Sequence, residues 1–269
     1  MYSGTTLRTK SGRIMGAHQK IDRLARRNLR TILPPHQTFP GITNILHFEG
    51  RNGPDGIKSK SPGVDEPWHY IDPTKPDDRQ IFDLVRDHSY NLTDALKRDD
   101  IIRAAFEAAW LAHTIVDGLT PAHHFPLAET IEKLWGKPHD ERLTIKEKNI
   151  IKGDTRRDTL RKNWRYWGAK GVFTTHFMFE FGFASAVSPL RFSDVQPSLD
   201  AISRVEREGI LPLFEEAIQR VYKLDMYEEY YKKGWTHHLA LESREQLAPI
   251  LINTVTLAWY AAVVGTSKP

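Results

Sequence analysis

Residues 99–117 are apolar on most sides when wound into a helix: Ile101, Ile102, Ala105, Phe106, Ala109, Trp110 and Ala112 spread around the circumference at helical spacing. A helix of that kind is central. Other elements must pack around it, and the rest of the chain has to supply them. With 269 residues, 40% of them hydrophobic, the chain can bury such a core. Gly118 and Pro121 mark where the helix stops.

The flanking sequence also reads as helix. Helical patterns cover about 17–32, stopped by Pro34 and Pro35, and about 77–96, with Ile81, Leu84 and Val85 on one face. Further stretches are 174–183, 196–222 with a bend or break near Pro212, and 227–264 with a break before Pro249. Val, Ile and Thr rarely alternate with polar residues as strands require. The expected fold is therefore all-α, a compact multi-helix bundle in one domain over 1–269. It includes a long Gly- and Pro-rich loop at about 34–75. The apolar run 248–264 is interrupted by Pro249, Asn253, Thr254 and Thr256 and falls short of the roughly 20 residues needed to span a bilayer. It is expected as a core helix and not as a transmembrane segment. The first thirty residues carry eight Lys and Arg but no apolar signal region. A cytoplasmic location is the default, and a secreted one if a leader has been removed.

The chain has no cysteine, which excludes disulfides and thiolate zinc sites; any metal must be held by His, Asp or Glu. In LAHTIVDGLTPAHHF, His113 and Asp117 lie four apart on the apolar helix and so share a face, and His123 follows just past its end. In THFMFEF, His176 and Glu180 repeat the arrangement. Burying a carboxylate is costly unless a cation or hydrogen-bond donors compensate it. A single pair at this spacing is commonly a hydrogen-bonded core pair or a surface pair. Two pairs on apolar helices, plus His123, put a buried metal cluster on an equal footing with that reading.

At these residues the sequence resembles the zinc-dependent phospholipases C and the single-strand-specific zinc nucleases, and is closer to the former. His113, Asp117 and His123 match the family's H-x3-D-x5-H motif. The run PWHYIDP places His69 where that family has a zinc ligand, and Asp55 lies fourteen residues before it, at the spacing of the ligand and general-base aspartate. His18 in GAHQKIDRLAR resembles the histidine that opens the family's first helix, and His176 with Glu180 matches its late pair. The resemblance implies an all-α fold around a three-zinc cleft. Asp55, His69, His113 and Asp117 would hold one zinc, His123, His176 and Glu180 a second, and His18 with Asp117 a third. In the family an N-terminal tryptophan completes that third site through its amine and carbonyl. Here no Trp precedes His18, and Met1 lies seventeen residues upstream, so two zincs are expected and the third site is expected empty or weak.

The gap from His123 to His176 is longer than in those phospholipases. The intervening insertion, about 126–173, carries twelve Lys and Arg against seven Asp and Glu, a net +5 that exceeds the whole chain's +4. Trp164, Tyr166 and Trp167 sit among the basic residues. Either this is a flap that meets an anionic substrate, such as a membrane surface or nucleic acid, or it is a solvated hairpin whose aromatics pack down on the body. The function the resemblance implies is phosphodiester hydrolysis of the phospholipase C kind. A zinc-bound hydroxide would attack phosphorus, and Asp55 would act as the catalytic carboxylate on the water. The substrate would be a phospholipid or another phosphodiester, with peripheral contact to an anionic membrane surface. The alternatives are a single-strand nuclease or nucleotidase acting on nucleic acid, and a catalytically silent metal-binding relative.

Overall fold

A computed structural model describes residues 1, 16–62, 69–124, 127–138 and 141–265. Arg8, Lys10, Arg13, Pro67, Trp68, Pro126 and Asp140, which enter the readings above, lie outside them. The described residues form an all-α architecture without a strand.

The apolar central stretch forms α5, Ile101–Gly118, opened by the Asp100 side chain accepting from the Arg103 amide. Thirteen of its residues are buried, including His113 and Asp117. It lies against α4 (Gln80–Lys97), to which Asp99 connects it in a left-handed conformation with φ of 54°. Both helices pack against α14, Ala248–Gly265, and α14 packs in turn on α1, Ala17–Ile32. One face of α1 is buried along its length, from Ala17 and His18 to Leu29, with the helix start against the last two turns of α5.

The loop expected at about 34–75 contains short helices. These are α2 (Ile42–His47), a 3-10 turn at Gly50–Asn52 and α3 (Pro54–Lys60). Pro54 sits in the first turn of α3, where a missing N–H costs nothing, and Asp55 beside it complements the helix dipole. Gly56 lets α3 close on that 3-10 turn, since an added Cβ would meet the Arg51 carbonyl.

Two breaks fall elsewhere than expected. The 196–222 stretch divides at Gly209, φ 76°, into α10 (Leu199–Glu208) and α11 (Ile210–Tyr222). Pro212 is tolerated because it lies in the first turn of α11. The last stretch divides at Gly234, φ 72°, between α12 (Met226–Lys233) and α13 (His237–Glu242). A π-helical turn, Ser243–Leu247, then carries α13 into α14. By length and composition His237–Gly265 is apolar enough to cross a membrane, and 78% of its most apolar window is buried inside the protein.

The basic insertion folds as α6 (Leu127–Trp135), α7 (Ile145–Asn149) and α8 (Arg156–Trp167), leading into α9 (Val172–Val187). It gathers a small cluster of its own from Ile131, Trp135, Ile151 and Tyr166. Of its three singled-out aromatics, Tyr166 packs down, Trp167 rests against Phe173 at 4.7 Å, and Trp164 stays 74% exposed.

Candidate metal centre

Four elements carry the site: the start of α1, the last two turns of α5, the 3-10 turn Pro121–His123 that follows it, and the first half of α9. Helical spacing alone aligns His113 with Asp117 and His176 with Glu180. Packing then brings α1 against the α5 pair and α9 against the 3-10 turn that carries His123.

Two buried groups result, each with ligand atoms close enough to share one ion: His18, His113 and Asp117, and His123, His176 and Glu180. In the first, the His18 and His113 rings stack at 3.9 Å. His18 Nε2 lies 3.4 Å from Asp117 Oδ1, and His113 Nε2 lies 3.3 Å from Asp117 Oδ2. In the second, Glu180 Oε1 is 2.9 Å from His176 Nε2 and 3.1 Å from His123 Nε2, and the two imidazole nitrogens are 3.2 Å apart. Asp117 joins the groups, with Oδ1 3.8 Å from His123 Nδ1. His18 therefore shares a group with His113 instead of standing with Asp117 alone.

Asp55 and His69 flank these groups. Asp55 Oδ1 is 3.6 Å from His113 Nε2. The His69 ring meets His123 edge-on at 5.0 Å and also lines, with His113 and Asp117, a cavity of about 20 Å³, room for about one water. His69 thus adjoins both groups, whereas the resemblance assigns it to the first.

The donor set fits cations better than it fits itself. His123 Nδ1 donates to the Asp117 carbonyl at 2.9 Å, so its Nε2 presents a lone pair. That lone pair, His176 Nε2 and Glu180 Oε1 converge. A single proton can bridge only two of them, while a metal ion can accept from all three. Burial pushes His123 down to about 4, which keeps its ring neutral. In the first group both ring nitrogens of His18 and Nε2 of His113 are buried without a hydrogen bond of acceptable geometry. Imidazoles aimed at a common point show this pattern. The residues could hold metal ions at both places.

Two ammonium groups also compensate the carboxylates. Lys58 Nζ lies 3.3 Å from Asp55 and 3.2 Å from Asp117. The Met1 α-amine, seventeen residues from His18 in sequence, lies 2.5 Å from Asp117 Oδ1 and 3.3 Å from Glu180 Oε1. A terminal amine is thus at the join of the two groups, where sequence spacing predicts none. Burial alone would raise Asp117, but Lys58, this amine and His113 hold it well below the usual carboxylate range. Asp55 is likewise drawn down to about 2, against its burial, by Lys58 and His113. Burial would lower His113, but Glu49, Asp117 and Asp55 outweigh it and carry the ring up to about 10. A ligating imidazole is neutral, so metal uptake at His113 expels a proton.

Glu49 stands in no motif of the sequence and is brought to the site by the fold. It is 2% exposed and accepts from His113 Nδ1 at 3.1 Å, while its neighbour His47 remains on the surface. A carboxylate behind a metal-binding histidine fixes its tautomer and raises its basicity. Glu49→Gln is expected to weaken metal binding about 10- to 100-fold with unchanged helix content, read by metal titration against a competing chelator. An unaltered affinity would make Glu49 a mere core carboxylate. Sequence carries one faint signal for it: a lone acid between Phe48 and Gly50 at the end of an apolar turn. A further buried carboxylate, Glu107, pairs with His88 Nδ1 at 2.6 Å, and His88 lines the small cavity opposite His69. His88 and Glu107 are nineteen apart on separate helices, so no local spacing reveals them.

Compared with known proteins, the chain matches no family model, no curated protein and no solved structure.

Proposed function

We propose that the chain is a zinc-dependent phosphodiester hydrolase of the phospholipase C kind. The observation that carries this reading is the convergence of imidazole nitrogens and carboxylates in two buried groups joined at Asp117, with the ring nitrogens of His18 and Nε2 of His113 left without a hydrogen bond in the first. All-N,O donor sets of His with Asp or Glu suit zinc, and two adjoining ions suit displacement at phosphorus. His18, His113 and Asp117, with Asp55 at their edge, would hold one ion, and His123, His176 and Glu180 the other. His69 is a neighbour of both. Bound zinc would supply Lewis acidity, lowering the pKa of a water in the site and neutralising charge on the phosphoryl oxygens.

The chain's own groups do the rest. The small cavity at His113 and Asp117 has room for the attacking water, and the Asp55 carboxylate lies 3.6 Å from His113 Nε2 at that edge. Held down at about 2, Asp55 is a weak base, so it orients the water instead of deprotonating it. Lys58, 13% exposed at the same edge, offers an ammonium to a phosphate oxygen. Glu49 keeps the His113 ring turned to its ion.

One observation favours a nucleic-acid substrate as a second reading. On α8 the exposed Trp164 stands among Arg157, Arg161 and Arg165, the pairing of ring face and charge that single strands use. Metal analysis of the purified protein is expected to find two zinc ions per chain, lost on chelation together with hydrolysis of a generic aryl phosphodiester. A panel of phosphatidylcholine and single-stranded oligonucleotide then separates the two substrate classes. A protein that binds no zinc at micromolar concentration would overturn the proposal.

A further inference from the structure

The basic insertion leaves an apolar face in contact with solvent. Among the described residues, more than half of the large hydrophobic side chains that stay exposed fall within 143–178, and exposed apolar side chains gathered together mark a surface that something covers. Five of them share one face. Leu160, Trp164 and Trp167 recur at helical spacing along α8, with Leu160 73% and Trp164 74% exposed. Trp167 donates from Nε1 to the Asn149 carbonyl at 3.0 Å, which sets it beside Ile150, and its ring meets Phe173 at 4.7 Å.

The helix cannot roll to hide this face, because its opposite side is held. The Tyr166 ring meets Trp135 edge-on at 4.5 Å. Asn163 accepts from the Ile151 amide at 3.2 Å and donates to the Ile151 carbonyl at 2.7 Å. Beside the apolar row runs a basic one: Arg157, Arg161 and Arg165 follow one another four apart, and all three are exposed. Arg161 pairs with Asp158 at 2.6 Å, whereas Arg157 and Arg165 have no ion pair among the described residues. Two cations of the row are thus left for an anionic partner.

Trp164 and its arginines taken alone suit a nucleic-acid strand, but bases stack on rings, and Leu160 and Ile150 have none. Aliphatic and aromatic side chains with a row of cations at their edge fit the boundary between acyl chains and anionic headgroups, where Trp lies at headgroup depth and Arg meets phosphate. We infer that this face of α8 is a docking surface for an anionic lipid bilayer. Leu160 and Trp164 enter the acyl boundary, and Arg157, Arg161 and Arg165 lie against the headgroups. Phe173 stands three residues before His176 on α9, so the surface borders the metal centre. The inference goes beyond the phosphodiesterase reading and does not depend on it, since docking needs no turnover.

The test is flotation of the full chain with lipid vesicles after a brief incubation on ice. Phosphatidylcholine vesicles with about 30% phosphatidylglycerol are expected to bind at least about tenfold more tightly than phosphatidylcholine alone, a preference lost at about 0.5 M salt. Leu160→Ser and Trp164→Ser, both at exposed positions, are each expected to weaken that binding about tenfold with helix content and bound metal unchanged. Leu160→Ser also separates the partners, because it removes lipid contact and leaves the ring of Trp164 free to stack on a base. No binding to the anionic vesicles at about 1 mM lipid would overturn the proposal. Equal binding of the two vesicle types, or a Leu160→Ser, Trp164→Ser double variant of full affinity, would also refute it. Single-stranded oligonucleotide bound through Trp164, with Leu160→Ser floating as the parent does, would assign the face to nucleic acid and refute it as well. Lipid hydrolysis is scored separately: docking without hydrolysis counts against a lipid substrate and leaves the docking surface standing.

Discussion

Asp117→Asn is expected to lower diesterase kcat/KM by about 10³-fold or more and to release at least one of the bound metal ions. A loss of that size corresponds to roughly 4 kcal/mol of transition-state stabilisation. The reason is position. Among the described residues Asp117 is the single carboxylate facing both groups, with His18 at 3.4 Å, His113 at 3.3 Å and His123 at 3.8 Å. Asparagine keeps the shape and removes the charge. In the metal-free protein the same change takes one of two carboxylate partners from Lys58 and from the Met1 amine, leaving Asp55 and Glu180, so it also destabilises the fold by about 1–3 kcal/mol. That contribution has a pH signature. Because the folded carboxyl sits well below its ordinary value, the stabilisation is present above about pH 4 and lost only as pH falls toward the folded value. Glu180→Gln provides the contrast: among the described residues the Glu180 carboxylate pairs with His123, His176 and the Met1 amine, so that variant should lose one ion and keep the other. An Asp117→Asn protein with full metal content and undiminished turnover would remove the basis for joining the two groups into one centre.

Trp259→Ala is expected to cost about 3–5 kcal/mol of stability, which for a chain of this size lowers Tm by roughly 6–15 °C. Trp259 on α14 is fully buried, donates from Nε1 to the Ala108 carbonyl of α5 at 2.9 Å, and has Phe39 at 5.5 Å. Truncation opens a cavity between the last helix and the one that bears His113 and Asp117. Metal affinity should fall with stability, since the ligand positions of α5 are set by what packs behind it. Trp259→Phe keeps much of the volume and should recover more than half of the loss, with melting followed by circular dichroism. A Trp259→Ala protein within 1 kcal/mol of the parent by that measurement, far inside the ordinary range for such changes, would show that α14 is not what holds α5 in place.

The helices were legible in the sequence because their cause is local. The 3.6-residue recurrence of Ile101, Ala105, Ala109 and Ala112 marks α5, and the four-residue spacing of His113 with Asp117 and of His176 with Glu180 is a property of any helix. The short helices α2 and α3 escaped because each is only six or seven residues long and set among Gly41, Gly50 and Gly53, and such pieces form through contact with neighbours more than through propensity. The break at Gly209 instead of Pro212 turns on a backbone angle that glycine permits without demanding it.

Joining the parts was decided by tertiary structure alone. Glu49 reaches His113 across 64 residues, His123 reaches Glu180 across 57, and the Met1 amine reaches Asp117 across 116. No periodicity encodes those distances. They depend on how α1, α9 and α14 stack on α5, and so on side-chain volumes summed over the whole core. Sequence alone determined which residues could be ligands and which helix faces they share. Which of them meet and which carboxylate stands behind them followed only once the chain had closed on itself.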